Sequence, residues 1–328
     1  SPSLGQAKKP VICHELGQWC AYPDFDVIHK FTGYCRPGNY EVFRENCRAS
    51  GLLRLNKSFA YLSGRSQLRL YKEDMEANLR TPGIYGFELL DLRDYLGQGT
   101  ALVGLLDAFW QEKGYVWAEE FRQFCGETVL LAAFPSYVYT VNEQISVPAG
   151  ICHFGREAIG ACQVRWELRT IGAVERIVTQ GNISVPGIPS GQNTSLGVIE
   201  PDMEPVRNLL HKNGHQRMAF NLILDGVTEN SWELYLYEKK KLTTKTGKNI
   251  LYTQEWQLAK EALAQGKKVI FAPFLSDLGY ECPPLSIKNI FWNGQMGPSW
   301  GRSLGLAIDT SCPLFRYFPT VEEGGWQW

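Results

Sequence analysis

KKPVICHELGQW, residues 8–19, is the stretch from which the fold of the first part of the chain is predicted. An apolar run over residues 11–13 follows a proline, a pattern typical of a buried parallel strand entered at its edge. The run ends in His14 and Glu15. Residues 8–15 are therefore predicted to form a buried strand with a carboxylate at its carboxyl end.

The residues that follow alternate between helical and strand patterns. Residues 38–50 and 58–80 carry apolar side chains at helical spacing, and glycine or proline follows each segment. Residues 83–92 (GIYGFELLDL) predict a second buried strand, followed by a glycine-rich loop. This order is typical of a βα-barrel. Only two barrel strands fit into residues 1–127, so this segment cannot close a barrel by itself.

The pattern changes after residue 127. Residues 163–172, 217–226 and 231–240 alternate with period two between turn residues, which predicts an antiparallel β-sandwich over residues 128–241. Residues 242–328 contain an amphipathic helix and then an apolar strand, which predicts a small flavodoxin-like α/β module. The predicted fold class is therefore multidomain, α/β plus all-β. The module lacks GxGxxG, so a nucleotide-binding protein is not supported.

Composition excludes several classes of function. The net charge of -1 gives no broad basic face, so we predict no nucleic-acid partner. No window of 18 apolar residues is present, and no membrane span is predicted. The nine cysteines are scattered without CxxC spacing, which favours free thiols over a zinc site or a disulfide framework. No cofactor is predicted.

Three stretches resemble glycoside hydrolase family 2, the β-galactosidase-like enzymes. KPVICHELG (9–17) resembles the strand that carries the nucleophile, and GFELLDLRDYLGQG (86–99) is similar to the eighth barrel strand. The tail PLFRYFPTVEEGGWQW (313–328) resembles the C-terminal modules of large bacterial relatives. The resemblance implies a retaining exo-acting enzyme that cleaves β-glycosidic bonds of oligo- or polysaccharides, with Glu15 as its nucleophile.

A retaining glycosidase also needs a protonated acid about 5 Å from the nucleophile. In the family, this acid belongs to an Asn-Glu pair on the fourth barrel strand. The chain's Asn142-Glu143 pair lies after the eighth-strand match, so it is not the acid. The alternative for Glu15 is a structural carboxylate that caps the turn after the strand.

The predicted substrate-binding residues surround the ends of the two strands. Strand alternation directs His14 away from Glu15, and a packing role is its alternative. Trp110 is expected to pack in the core. Asp94 matches the family's Asp-Tyr pair and either reaches a sugar hydroxyl or orients the loop, whereas Asp91 has an ion pair with Arg80 or Arg93 as its alternative. Leu90 stands where the family usually has a Trp, so the resemblance does not indicate which sugar is bound. The full set of predicted binding residues is His14, Gln18, Trp19, Asp91, Asp94 and Gln98.

We therefore interpret the chain as the C-terminal part of a family 2-like retaining glycosidase, with a carbohydrate as its partner. The chain opens on a polar segment without an initiator Met, from which we expect a longer parent enzyme that supplies the remaining N-terminal part. The chain alone is expected to be incomplete and inactive. The alternative is a non-catalytic carbohydrate-binding or interaction protein on a glycosidase-derived fold.

Overall fold

The structure is a computed structural model that describes residues 9–95, 102–239, 249–278, 287, 303–316 and 318–328. Over these ranges the chain combines four separate sheets with five α-helices. None of the helices found there has both the length and the hydrophobicity required to cross a bilayer. The cysteines in the same ranges are free thiols.

The first sheet contains two parallel strands, β1 (Val11–Leu16) and β2 (Ile84–Leu89). Between them the chain forms α1 (Gly38–Ala49) and α2 (Asn56–Arg80). The predicted strand–helix–strand order is thus confirmed for this segment, but both strands are partly exposed and not buried as predicted. Helix α2 stops at Thr81 because Pro82 follows it, and the residue before a proline avoids the helical conformation.

A short helix, α3 (Ala118–Arg122), leads into two larger sheets. Their strands are β3 (Thr128–Ala132), β4 (Val138–Thr140), β5 (Val147–His153), β6 (Cys162–Thr170), β7 (Ile177–Val185), β8 (Gln192–Ile199), β9 (His215–Leu224) and β10 (Thr228–Tyr237). One sheet has the order β4-β10-β9-β6-β7 and the other β3-β5-β8. Alternate side chains of both sheets form one hydrophobic core, which includes Leu130, Ile151, Leu168, Phe220 and Leu234.

Two details of this region differ from the sequence prediction. Strand β4 pairs with β10 in parallel, so the larger sheet is not purely antiparallel. A helix, α4 (Glu204–Asn213), also lies among the strands, where no helical period was noted. Its buried side chains, Val206, Leu209 and Leu210, have the spacing of one helix face, and Gly214 ends it in the left-handed conformation. The helix was missed because it is only ten residues long.

Helix α2 is joined to the two sheets by a buried polar network centred on Glu76. The carboxylate accepts hydrogen bonds from Lys72 Nζ (2.5 Å), Asn230 Nδ2 (2.8 Å) and Trp232 Nε1 (2.8 Å). Asn230 also donates to the backbone oxygen of Leu130 on β3, at 2.7 Å. Burial lowers the pKa of Lys72, and the Glu76 carboxylate opposes that shift. The network supplies the buried Glu76 carboxylate with hydrogen-bond partners from α2 and from β10.

The last part of the described chain contains a β-α-β unit. Strands β11 (Ile250–Thr253) and β12 (Lys268–Phe271) pair in parallel on either side of α5 (Trp256–Ala264). Residues 318–328 pack elsewhere, against α2 and β10. Arg69 donates to the backbone oxygen of Gly324 (2.5 Å), and Trp326 stacks on Tyr137 with ring centroids 5.2 Å apart.

Candidate functional site

The predicted site lies where β1 and β2 end side by side. The parallel register pairs Cys13 with Phe87, which places the residues that follow each of them at the same edge of the sheet. Glu15 stands at this edge, and its neighbour on the second strand is Glu88, which sequence reasoning had not singled out. Identifying Glu88 requires the register of β1 against β2, which cannot be derived from a single sequence.

The turn after β1 carries unusual backbone geometry. Glu15 (φ 53°) and Gln18 (φ 60°) are non-glycine residues in the left-handed region, and Gly17 (φ 88°) lies between them. Such conformations cost free energy for L-residues and concentrate at functional sites. Within the turn, Gln18 Nε2 donates to Glu15 Oε2 at 2.9 Å. The hydrogen bond fixes one oxygen of the half-exposed Glu15 carboxylate.

His14 does not point away from Glu15, so that part of the prediction is wrong. Its Nδ1 lies 3.9 Å from Glu15 Oε1, and its Nε2 lies 3.7 Å from Glu88 Oε2. The left-handed conformation at Glu15 interrupts the strand alternation on which the prediction relied. The His14 side chain is 74% exposed, so it has no packing role. The imidazole therefore stands between two carboxylates at the strand ends.

The turn is held from beneath by α2. A Cβ at Gly17 would overlap the ring of Tyr71, so the backbone lies directly on that side chain. The Tyr71 hydroxyl donates to the backbone oxygen of Val103 (3.0 Å) and is hydrogen-bonded to the backbone N–H of Gln18. Gln67 Nε2 donates to the backbone oxygen of Trp19 at 2.7 Å. These contacts make the turn a fixed part of the fold.

Trp19 is occupied by its own partner on α2. Its Nε1 donates to Asp74 Oδ2 at 2.7 Å, and the half-buried ring packs against a cluster that contains Tyr71 and Leu68. Burial raises the pKa of Asp74, and the hydrogen bond from Trp19 only partly offsets this. Trp19 thus anchors the turn. Asp74 is a second residue near the site that the sequence pattern did not indicate.

The two aspartates after β2 have different surroundings. Asp94 is 2% exposed and accepts hydrogen bonds from Tyr40 Oη (3.0 Å), the backbone N–H of Gly104 (3.0 Å) and Lys113 Nζ (2.8 Å). These bonds join the segment after β2 to α1 and to residues 104–113, and the binding role predicted for Asp94 stays a prediction. Asp91 is half-buried, and its Oδ1 accepts the backbone N–H of Leu92 at 2.6 Å.

The ion pair suggested for Asp91 is not formed within the described ranges. Arg80 instead contacts Glu76 at 3.3 Å, and Arg93 donates to the backbone oxygen of Asp94 at 3.1 Å. The Leu90–Asp91 peptide bond is cis. Gln98 lies outside the described residues, so its predicted role stays a prediction.

Trp110 is 61% exposed, and the expectation that it packs in the core is wrong. Trp110 lies at the tip of a hairpin and has φ 65°. Its ring is exposed to solvent and does not pack in the core. The guanidinium carbon of Arg93 lies 5.5 Å from the centroid of the Trp110 ring and 5.8 Å from that of Tyr95. These three residues lie on the segment that follows β2, beyond the carboxyl end of the strand.

One cavity in the described chain lies away from Glu15. It has a volume of about 510 Å³ and lies between the end of α2, the start of β2 and the three-stranded sheet, with Leu79, Tyr85, Leu131 and Phe154 among its lining residues. Within the described ranges, no group of three or more His, Cys, Asp or Glu side chains is placed to hold a metal ion.

Two families match parts of the chain. Residues 143–238 match the family described as Domain of unknown function (DUF8488), and residues 251–328 match Domain of unknown function (DUF8487). The first match covers most of the two larger sheets, and the second begins within β11. Comparison with curated protein sequences gives no match.

Solved structures give only distant similarity. A β-glucosidase from Listeria innocua in complex with gluconolactone has a TM-score of 0.24 and 12% identity, over 34% of this chain and 16% of that one. The β-glucosidase EmGH1 from Erythrobacter marinus has a TM-score of 0.25 and 13% identity, over 33% of this chain and 15% of that one. Spo0M, a sporulation control protein from Bacillus subtilis, has a TM-score of 0.24 and 9% identity, over 35% and 51% of the two chains.

This chain therefore spans about one sixth of the length of the β-glucosidases. At these TM-scores the similarity carries no argument about fold or activity.

Proposed function

We propose that the chain carries the nucleophile, Glu15, of a retaining glycoside hydrolase of the family 2 type. The observation that carries the proposal is the carboxylate itself, which stands at the carboxyl end of a parallel strand in a strained turn fixed by α2. Barrel enzymes place their chemistry at this end of the strands. A turn fixed by hydrogen bonds meets the requirement that the reacting group be preorganised.

The chemistry assigned to each residue follows from its contacts. An oxygen of ionised Glu15 attacks the anomeric carbon, and the bond to the leaving oxygen breaks as a separate acid gives that oxygen its proton. Water then attacks the anomeric carbon while the same acid, now deprotonated, takes its proton, and the bond to Glu15 breaks to release the carboxylate. Gln18 holds Oε2 by its 2.9 Å hydrogen bond and so orients the carboxylate. His14, between Glu15 and Glu88, offers a donor to a sugar hydroxyl.

The proposal assigns the proton donor to a barrel strand outside this chain. In the same proposal, β1 and β2 are the last two strands of the barrel and the two larger sheets form an accompanying sandwich. Parallel sheets are stable when further elements cover their faces and edges. Within the described residues, each strand of the two-stranded sheet pairs only with the other strand, so both have a free edge at which a further strand could add.

A second candidate function is carbohydrate binding without hydrolysis. The exposed rings of Tyr95 and Trp110 favour it, because they form an amphipathic surface beside the predicted site. The two candidates differ only in whether Glu15 forms a covalent bond.

The experiment that separates them uses the polypeptide extended by the proposed upstream strands. Glu15→Ala is expected to lower turnover of an aryl β-glycoside by several orders of magnitude while the fold is retained, because the covalent step needs the carboxylate. Added azide should restore part of the activity and yield a glycosyl azide of inverted configuration. Product analysis by mass spectrometry and NMR measures this outcome.

Asp91→Ala is the matched control. It removes a carboxylate from the end of the other strand and is expected to weaken turnover without azide rescue. Azide rescue of Asp91→Ala but not of Glu15→Ala would assign the nucleophile to β2 instead. Loss of thermal stability in Glu15→Ala, with modestly reduced turnover and no azide product, would reduce Glu15 to a structural role.

A further inference from the structure

A buried carboxylate, that of Asp107, holds the turn that carries Trp110. Asp107 is 2% exposed and forms an ion pair with Lys30. Its Oδ1 accepts the backbone N–H of Phe109 (2.8 Å) and of Gln111 (3.0 Å), and its backbone oxygen accepts the N–H of Trp110 at 3.1 Å. The tip that presents Trp110 is therefore fixed by hydrogen bonds on both sides of the indole-bearing residue.

Arg93 has unused hydrogen-bonding capacity beside this ring. Its Nη1 donates to the backbone oxygen of Asp94, and its guanidinium lies over the rings of Trp110 and Tyr95. No carboxylate in the described part of the chain lies within ion-pair distance of Arg93, and residues 96–101 (LGQGTA) contain none. A guanidinium has five N–H donors in one plane, so most of them remain available to a ligand.

We propose that Trp110, Tyr95 and Arg93 form a subsite for a carbohydrate residue that carries a carboxylate, that is, a uronic acid. One face of a pyranose ring presents C–H groups, which pack on the exposed indole, and the sugar carboxylate accepts paired hydrogen bonds from Arg93. Rigid aromatic side chains make such contacts at low entropic cost. As a substrate subsite the assignment rests on the proposed function, but binding by this surface does not.

The charge pattern selects this ligand over the nearest alternative. Exposed aromatic rings beside an arginine also suit single-stranded nucleic acid, whose bases stack on the rings. That mode requires a basic groove that follows several phosphates, whereas this chain has a net charge of -1. The single guanidinium of Arg93 can pair with the one carboxylate of a uronic acid, and the neighbouring aromatic rings can pack against its pyranose ring.

The test measures binding to the chain of residues 1–328 by isothermal titration calorimetry. The probes are trigalacturonate and triglucuronate, with cellotriose as a neutral trisaccharide. We expect at least one of the acidic trisaccharides to bind about tenfold more tightly than the neutral one, because a hydrogen-bonded charge pair is worth that much or more. Arg93→Gln should remove the preference, and Arg93→Lys should restore only part of it.

Trp110→Ala should weaken binding of the preferred acidic probe about tenfold, because its stacking surface is lost. Trp117→Ala is the control, since this tryptophan is 59% exposed and its ring has no cationic partner in the described structure. It should leave the dissociation constants unchanged. Circular dichroism of each variant separates loss of binding from loss of fold.

Three results would overturn the proposal. The first is equal affinity for acidic and neutral trisaccharides, and the second is tighter binding of a thymidine hexanucleotide than of either acidic probe. The third is self-association of the chain that Trp110→Ala abolishes, which would make the surface a contact between copies. Failure to hydrolyse glycosides, with the Arg93-dependent preference for acidic trisaccharides retained, would reject the proposed enzyme while leaving this binding site intact.

Discussion

At the scale of single residues, the turn after β1 combines strained backbone with close packing. Glu15 and Gln18 adopt left-handed conformations that L-residues ordinarily avoid. Tyr71 supports them from α2, with its ring against Gly17 and its hydroxyl bonded to the backbone oxygen of Val103. The position of the Glu15 carboxylate is therefore determined by a glycine and a tyrosine that would not contact substrate.

Gly17→Ala tests this arrangement. The new Cβ would overlap the Tyr71 ring and would also require a left-handed alanine. We expect a loss of about 2–4 kcal/mol in the free energy of unfolding, measured by urea denaturation, because the backbone penalty and the overpacking add. Gly51→Ala is the control, since Gly51 has φ 70° but open space around its Cβ position. Equal losses of unfolding free energy in the two variants would mean that the Tyr71 ring moves aside and does not fix the turn.

At the scale of secondary structure, α2 connects the regions of the molecule. It spans 25 residues, or about 38 Å. Its side chains contact the turn after β1 through Tyr71, the two larger sheets through Glu76 and the final segment through Arg69. The helix is therefore amphipathic in an unusual sense, because part of its buried surface is polar, including Gln67 and Glu76.

Glu76→Ala should be strongly destabilising. Glu76 is 0% exposed, and its removal leaves the buried Lys72 ammonium without its carboxylate. We expect a loss of about 3–5 kcal/mol in the free energy of unfolding, measured in urea. The double variant Lys72→Met with Glu76→Leu should recover most of the loss, because no buried charge is then left unpaired.

Glu45→Gln is the matched control for that experiment. Glu45 pairs with Arg48 on the surface of α1, so its removal should leave the urea midpoint unchanged. Similar midpoints for Glu45→Gln and Glu76→Ala would show that the network around α2 adds no stability.

The secondary structure was predictable from the sequence because periodic hydrophobic patterns report which face of an element is buried. Residues 38–50 and 58–80 were predicted as helices and form α1 and α2, and the strands at 163–172, 217–226 and 231–240 fall on β6, β9 and β10. Helix α4 was missed since ten residues give too little periodicity to stand out among strands.

The geometry of the candidate site was less accessible to sequence reasoning. The approach of His14 to Glu15 depends on a single left-handed residue, which breaks the alternation that the prediction assumed. The partnership of His14 with Glu88 depends on strand register, and the exposure of Trp110 depends on a turn held by Asp107. These three features depend on a turn conformation or on contacts between residues distant in sequence. Hydrophobic periodicity gives information on neither.

At the scale of the whole molecule, the two larger sheets form a unit with its own core. The main hydrophobic cluster is drawn entirely from residues 130–236, whereas smaller clusters lie around β1, α1 and α2. The sheets are joined to α2 by the polar contacts of Glu76 and by a small hydrophobic cluster in which Leu79 packs against Val129, Leu131 and Cys152. The domain boundary near residue 128 stays a prediction.

A fragment of residues 128–239 is expected to fold without the rest of the chain. Its core is complete, but Asn230 and Trp232 lose their Glu76 partner, so its melting temperature should lie below that of the intact chain. Circular dichroism should give a β-type spectrum with a cooperative thermal transition. A random-coil spectrum would contradict the independence of this unit. Glu76→Ala in the intact chain removes the same two contacts and serves as a comparison for the drop in melting temperature.

The network between α2 and the sheets has a consequence for synthesis of the protein. Lys72 and its partner Asn230 are 158 residues apart in the chain. At ordinary rates of translation, roughly 8 to 30 s pass between the emergence of the two from the ribosome. During that interval the nascent helix displays an apolar face and a set of charged groups that have no partners yet. Chaperone engagement on the ribosome should therefore be concentrated between the completion of α2 and the arrival of β10.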